Sequence, residues 1–156
     1  MTRTSPSRRS LLSLALGSAL LATASFPVWA QGMVSIKGST VNMRSGPSTQ
    51  NQILWELKRG YPLRVIRRQG SWLEVSDFEN DSGWVARSLV DSTPHHVVKS
   101  RIANIRRGPG TQHAIVGKAE YGDVLRTREK RAGWVRVEHT ATGTTGWIAR
   151  RLLWGW

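Results

Sequence analysis

From Val41 onward, apolar and polar positions alternate in short runs. Val41 and Met43 bracket Asn42, Arg44 follows, and no aliphatic or aromatic side chain appears again until Ile53. Alternation with a period of two describes a strand with one buried face. Gly46-Pro47 then ends it, because proline fixes its own φ, lacks an N–H and pushes the preceding residue out of the helical region. Ile53 to Lys58, Leu63 to Arg67, Trp72 to Phe78 and Trp84 to Ala86 read as four further strands. Arg59-Gly60, Gln69-Gly70 and the hairpin sequence Glu79 to Gly83 separate them with turn chemistry. No stretch shows helical periodicity. Five short strands at such spacing predict a small closed sheet, in which few edges are left open.

The pattern is then written a second time. Val41-Asn42-Met43-Arg44-Ser45-Gly46-Pro47 returns sixty-two residues later as Ala103-Asn104-Ile105-Arg106-Arg107-Gly108-Pro109. At the same offset Gly60 meets Gly122, Leu63 meets Leu125, Trp72 meets Trp134 and Val75 meets Val137. After one inserted residue, Gly83-Trp84-Val85-Ala86-Arg87 meets Gly146-Trp147-Ile148-Ala149-Arg150. A register held over about fifty residues is an internal repeat. The chain is therefore expected to be all-β, with one module over 40–90 and another over 102–156. Gln31 to Thr40 reads as a lead-in, and residues 91–101, with Pro94 and His95-His96, read as the linker. A module of this size buries only about 60% of the surface its unfolded chain exposes, so packing of one module on the other is expected.

Residues 1–30 follow a different pattern. Arg3, Arg8 and Arg9 precede an apolar run from Leu11 to Leu21, and Val28-Trp29-Ala30 offers a cleavage site. That order is a secretory signal peptide, which predicts a periplasmic or secreted protein with no integral span after cleavage. Ser7-Arg8-Arg9-Ser10-Leu11-Leu12 also resembles a twin-arginine signal, so the general secretory and twin-arginine routes both stay open.

Charge changes the picture next. The 156 residues carry 23 Lys and Arg against 10 Asp and Glu, a net charge of +13, and no cysteine. Taking the three arginines of the leader from the 23 leaves 20 basic side chains against the same 10 acidic ones. A surface so basic points to an anionic partner. Outside the cytoplasm that partner is an envelope polymer or envelope protein, with no specific nucleic acid. Without cysteine there is no disulfide framework and no thiolate nucleophile or metal site.

The repeated motifs resemble a known family. An Asn-apolar-Arg-small/basic-Gly-Pro opening, a Gly before the third strand (after basic Arg59 in the first copy), a Trp-x-x-Val strand and a closing Gly-Trp-Val/Ile are similar to bacterial Src homology 3 (SH3) domains. The closing Leu152-Leu153-Trp154-Gly155 resembles exported proteins with two such domains in tandem. The resemblance implies two tandem SH3-like β-barrels that bind peptidoglycan or peptides without catalysis, often beside a cell-wall hydrolase. The alternative it leaves is a periplasmic protein–protein interaction scaffold.

Strand alternation selects candidate ligand-binding residues. Leu73 and Val75 point inward, so Trp72 and Glu74 share the outer face, and Trp134 follows the same logic. Trp55 aligns with Gly117 and Tyr61 with Asp123. A core site seldom accepts such pairs, because the smaller residue would leave a cavity, so both aromatics are expected at the surface. Their faces suit stacking on sugar rings or apolar side chains. Arg44 and Arg106 project away from the core. They are expected either to cover the strand and loop or to meet a carboxylate of a bound peptide. Trp84 and Trp147 read as partly buried structural residues.

Catalysis has little to stand on. The carboxylates are scattered through turns and strand ends, with Asp77, Glu79 and Asp81 at one hairpin. His95, His96, His113 and His139 lack metal-ligand spacing, and neither a nucleophile elbow nor a phosphate loop is present. The expectation is a binding protein with no catalytic residue, no metal and no cofactor.

Overall fold

The computed structural model describes residues 32–156, so the expected signal peptide of residues 1–30 lies outside the described residues. The first module contains β1 (Met33–Ile36), β2 (Thr40–Arg44), β3 (Ile53–Lys58), β4 (Pro62–Gln69), β5 (Trp72–Ser76), β6 (Ser82–Ala86) and β7 (Val90–Asp91). Its sheet runs β3-β2-β6-β5-β4-β1-β7. The second contains β8 (His95–Val98), β9 (Ile102–Arg106), β10 (Ile115–Glu120), β11 (Val124–Arg131), β12 (Trp134–His139), β13 (Thr145–Ala149) and β14 (Leu153–Gly155). Its sheet repeats that order as β10-β9-β13-β12-β11-β8-β14. A single 3-10 turn, Arg87–Leu89 in one copy and Arg150–Leu152 in the other, precedes the last strand of each. The all-β class and the duplication both stand.

Each sheet coils around its own core. Val41, Met43, Leu63, Val75 and Val85 fill the first, joined by Ile36. Ile105, Leu125, Val135, Val137 and Ile148 fill the second, joined by Val98. These are the inward positions of the period-two pattern, in which Leu73 and Val75 are buried between half-buried Trp72, Glu74 and Ser76. The turn before β4, and its copy before β11, needs a backbone with positive φ. Gly60 and Gly122 supply it at +81° and +84°, a region that costs other residues a clash with Cβ. Their N–H groups then bond Ile36 and Val98 carbonyls at 2.8 and 2.9 Å.

Seven strands per module replace the expected five. The lead-in contributes β1, and β8 lies within the stretch expected to be the linker. The reason is that both faces of these strands are covered. All four residues of β8 are buried, as are Ser35 and Ile36 of β1, so no alternation marks them. The cover comes from the other module. A methyl on Gly60 would touch the His95 ring at 2.8 Å, and the Trp156 indole N–H donates to Ser35 Oγ at 3.3 Å. The Arg64 guanidinium lies over the Trp154 ring, 5.5 Å from its centroid. On the other flank Phe78 meets Tyr121 edge-on at 5.2 Å, and the Tyr121 hydroxyl donates to Glu79.

Candidate functional site

An open cleft of about 910 Å³ lies on the second module, closed at one side by Arg64 of the first. Its aromatic surfaces are Trp134, Trp154 and Trp156. Its charged groups are Arg64, Lys99, Arg106, Arg150 and Arg151, and no Asp or Glu lines it. The fold places each of these for a local reason. Trp134 opens β12 on the face opposite buried Val135. Arg150 and Arg151 stand on the exposed 3-10 turn before β14. Leu153 is anchored in the core, so the next residue, Trp154, turns outward under Arg64. An array of indole faces and cations without an Asp or Glu side chain suits a ligand with flat apolar surfaces and negative charge.

Of the residues expected to bind ligand, Trp134 and Arg106 line this cleft. Trp72, half-buried at the start of β5, holds the matching place in the first module. Trp55 is 53% exposed on β3, remote from the cleft lining, beside Ile53 and Leu54. The cleft residues that sequence reasoning missed are Arg64, Lys99, Arg150, Arg151, Trp154 and Trp156. A signal was present in Trp154-Gly155-Trp156, an aromatic pair too short to place without knowing that β14 joins β8.

One expectation changes, and for Arg44 and Arg106 the first of the two expected roles is seen. Tyr61 is not a free surface aromatic. It is half-buried against the first core, and its hydroxyl faces Asp77 Oδ2 at 3.4 Å. Burial first, and then the Asp77 charge, pushes its phenol well above the usual range. The guanidinium groups of Arg44 and Arg106 are engaged within the chain. Arg44 Nη1 donates to the Thr49 and Asn51 carbonyls at 3.0 and 2.9 Å, and Arg106 Nη1 does the same to Thr111 and His113 at 3.0 and 2.9 Å. Each holds a loop that has no apolar anchor, which is why the Arg recurs in both copies.

Several other ionisable groups serve the fold. Asp77 Oδ1 accepts the N–H groups of Glu79 and Asp81, both at 2.9 Å, bracing a hairpin in which Asn80 has φ of 68°. Burial raises the Asp77 carboxyl above its ordinary value, against those two bonds. Oxygens of Asp77, Glu79 and Asp81 lie within 4.8 Å of one another, and the buried member, Asp77, spends Oδ1 on two backbone N–H groups and Oδ2 on the Tyr61 hydroxyl. His139 Nδ1 accepts from the Ala141 N–H at 3.2 Å, which makes Nε2 the donor to Asp123 Oδ2 at 2.8 Å. Buried Trp84 and Trp147 carry Arg67 and Arg131 at 5.0 and 5.2 Å from their ring centroids.

The family model described as bacterial SH3 domain matches residues 37–92 and again 99–155. Among characterised proteins, the chain is 27% identical over 143 residues to Bacillus subtilis "Putative N-acetylmuramoyl-L-alanine amidase YrvJ", covering 85% of this chain and 27% of that protein. It is 38% identical over 55 residues to serine/threonine-protein kinase D of Synechocystis sp., covering 32% of this chain and 11% of that one. A solved structure, NlpC1 from Trichomonas vaginalis, is similar with a TM-score of 0.37 and 16% identity, over 86% of this chain and 49% of that chain. The chain thus spans about a quarter of the amidase relative and about half of the NlpC1 chain. Two matched segments, each spanning the last six strands of one seven-stranded sheet, show that this chain belongs to the bacterial SH3 domain family and carries the domain twice.

Proposed function

We propose that the protein is a non-catalytic, exported binding module that recognises peptidoglycan or other cell-envelope peptides. The observation that carries this reading is the cleft lined by three indoles and five cationic side chains and by no Asp or Glu side chain. A basic chain and a relative named for N-acetylmuramoyl-L-alanine, the sugar–peptide junction of peptidoglycan, support the choice of polymer. The absence of catalysis is supported by Asp77 and His139, which brace turns, and by a cleft whose lining offers one histidine, His96, and no Asp or Glu beside it. Export rests on the sequence of residues 1–30 alone. Among the described residues no helix is long and apolar enough to cross a membrane.

Co-sedimentation with purified peptidoglycan tests the reading. Loss of one stacking indole removes about 1 kcal/mol, so Trp134→Ala is expected to weaken retention several-fold. Trp72→Ala, at the matching place in the first module, is expected to act in the same direction. Equal retention of wild type and both variants would defeat the assignment.

A second reading, a scaffold for a wall hydrolase or other envelope protein, draws on the edge strand β3. It exposes Ile53, Leu54 and Trp55 at 43%, 40% and 53%, beside backbone groups open to strand addition. Affinity capture from periplasmic extract separates the two readings. A stable protein partner lost on Trp55→Ser favours the scaffold, and muropeptides without such a partner favour the binding module.

A further inference from the structure

The duplication contains its own control. The two modules share a frame, so any groove residue of the second can be compared with its counterpart in the first. Asn104, Arg106, Thr111, Trp134 and Arg150 correspond to Asn42, Arg44, Thr49, Trp72 and Arg87. Frame residues alone therefore do not distinguish the two grooves. Three of the cleft's cations and indoles differ sharply, one of them Trp156, which stands where the first module has Thr93. Arg151 stands where the first module has Ser88, and Trp154 where it has Asp91. The strand registers fix the Trp154 equivalence, since Trp154 lies opposite Val97 and Asp91 opposite the matching Ser35. The first module thus puts a carboxylate where the second puts an indole under an arginine.

That arginine is Arg64, which belongs to the first module. It projects from β4, opposite Met33 and Ser76 in its own sheet, and its guanidinium lies over Trp154. The cleft is therefore assembled across the junction, with one cation supplied by the neighbouring module and held in place by the ring it covers. Arg150 and Arg151 add exposed cations from the 3-10 turn, and Lys99 adds another.

Resting on the peptidoglycan reading above, we infer that this composite cleft, and not the groove of the first module, recognises the free carboxylates of a wall peptide, with the attached sugar or apolar face laid on Trp134 and Trp154. Arg64 and Arg151 receive the carboxylates. Ser88 and Asp91 give the first module neither the second cation nor the covered indole, Asp91 itself accepting the Thr93 N–H at 2.9 Å, so the groove at Trp72 offers stacking without carboxylate recognition. Cation and carboxylate across a groove open to solvent are partly screened, so two or more such contacts are needed to select the charged form.

Titration calorimetry on the full chain tests this with a soluble disaccharide-peptide fragment of peptidoglycan, and with the same fragment after its carboxylates are converted to amides. Amidation is expected to weaken binding at least about tenfold, as loss of two charge-assisted contacts implies. Arg151→Ser, which places the first-module residue on an exposed site, is expected to weaken the free-carboxylate fragment about tenfold and the amidated one little. Arg151→Ser combined with Trp154→Asp is expected to abolish the preference. Arg68→Ser, an exposed arginine outside the cleft lining, controls for net charge and is expected to stay within about twofold.

Binding indifferent to amidation, an Arg68→Ser effect equal to that of Arg151→Ser, or tighter binding of poly(glycerol phosphate) than of the fragment overturns the inference. Retention on peptidoglycan that falls with Trp134→Ala but ignores amidation removes this inference and leaves the binding reading standing. No retention of any kind removes both. Circular dichroism of the double variant shows whether its sheet is intact, and the single Arg151→Ser carries the test if it is not.

Discussion

Gly146→Ala is expected to destabilise the second module by about 3 kcal/mol, the upper end of what overpacking a core with one methyl costs. Gly146 opens the Gly-Trp motif on β13, where that strand crosses β9. A methyl there would lie 2.5 Å from the Arg106 carbonyl oxygen and 2.6 Å from Ile105 Cγ2. The oxygen belongs to a backbone that cannot step aside, and Ile105 is fully buried. Displacing either one moves β9, and with β9 the loop that Arg106 holds. A module of under sixty residues has a total stability of only about 3–9 kcal/mol, so the loss is a large part of the whole. Urea unfolding followed by tryptophan fluorescence reads it as a lowered midpoint. Gly108→Ala is the comparison, since its methyl meets only the His113 ring, a side chain that can turn away. Equal midpoints for wild type and Gly146→Ala would show that β9 and β13 are not packed as described.

That glycine also shows what the sequence exposes. Glycines at Gly83 and Gly146 were visible as a repeat, and so were the strands on either side, because one face of each is wet and the period of two is clean. The alternation fails where both faces are dry. His95-His96-Val97-Val98 is buried throughout and follows Pro94, so it reads as a linker while serving as a central strand between β11 and β14. Nothing local marks it, because the second cover comes from the other module.

The aromatic sites divide along a similar line. Trp134 was accessible to reasoning because it alternates with Val135. Tyr61 was not, because its pairing with Asp123 looked like tolerance of change. The structure shows an exchange instead. Tyr61 donates to Asp77 in the first module, and His139, at the position of Asp77, donates to Asp123, at the position of Tyr61. Donor and acceptor have traded places across one contact. A residue-by-residue comparison of the repeats sees two unrelated substitutions, and only the fold shows that they touch. Trp55 and Gly117 differ in another way: a methyl on Gly117 would meet Thr144 at 2.8 Å, so the second module fills that place with its hairpin. The cleft itself lay beyond reach for a third reason, since Arg64 and Trp154 are ninety residues apart and meet only when the modules dock.

Acid is expected to remove up to about 3 kcal/mol of stability between pH 6.5 and 4 through His96, the work of holding one histidine neutral over that interval. His96 is 2% exposed. Burial lowers its pKa to about 4, and the positive charges of Lys130 and Arg150 and the neighbouring His95 push the same way, while a backbone bond with Trp156 opposes them. Its Nδ1 shares a hydrogen bond with Thr127 Oγ1 at 2.6 Å, so no carboxylate is at hand to welcome the proton. The folded value lies below the unfolded one, near 6.5, so the unfolded chain binds more protons in this window. Stability is therefore fully present above pH 6.5 and falls as pH drops toward 4. His95, also lowered by burial, adds to the slope. Asp77, raised by burial, works the other way, since the folded protein takes up that proton more readily, and it softens the loss at the acid end. Urea unfolding of wild type and His96→Gln at pH 7.5 and 4.5 separates these contributions. The variant keeps a polar group for Thr127 and cannot titrate, so its stability should fall much less across the interval. The same drop in both proteins would mean that His96 does not carry the acid sensitivity and that β8 is not closed on both faces.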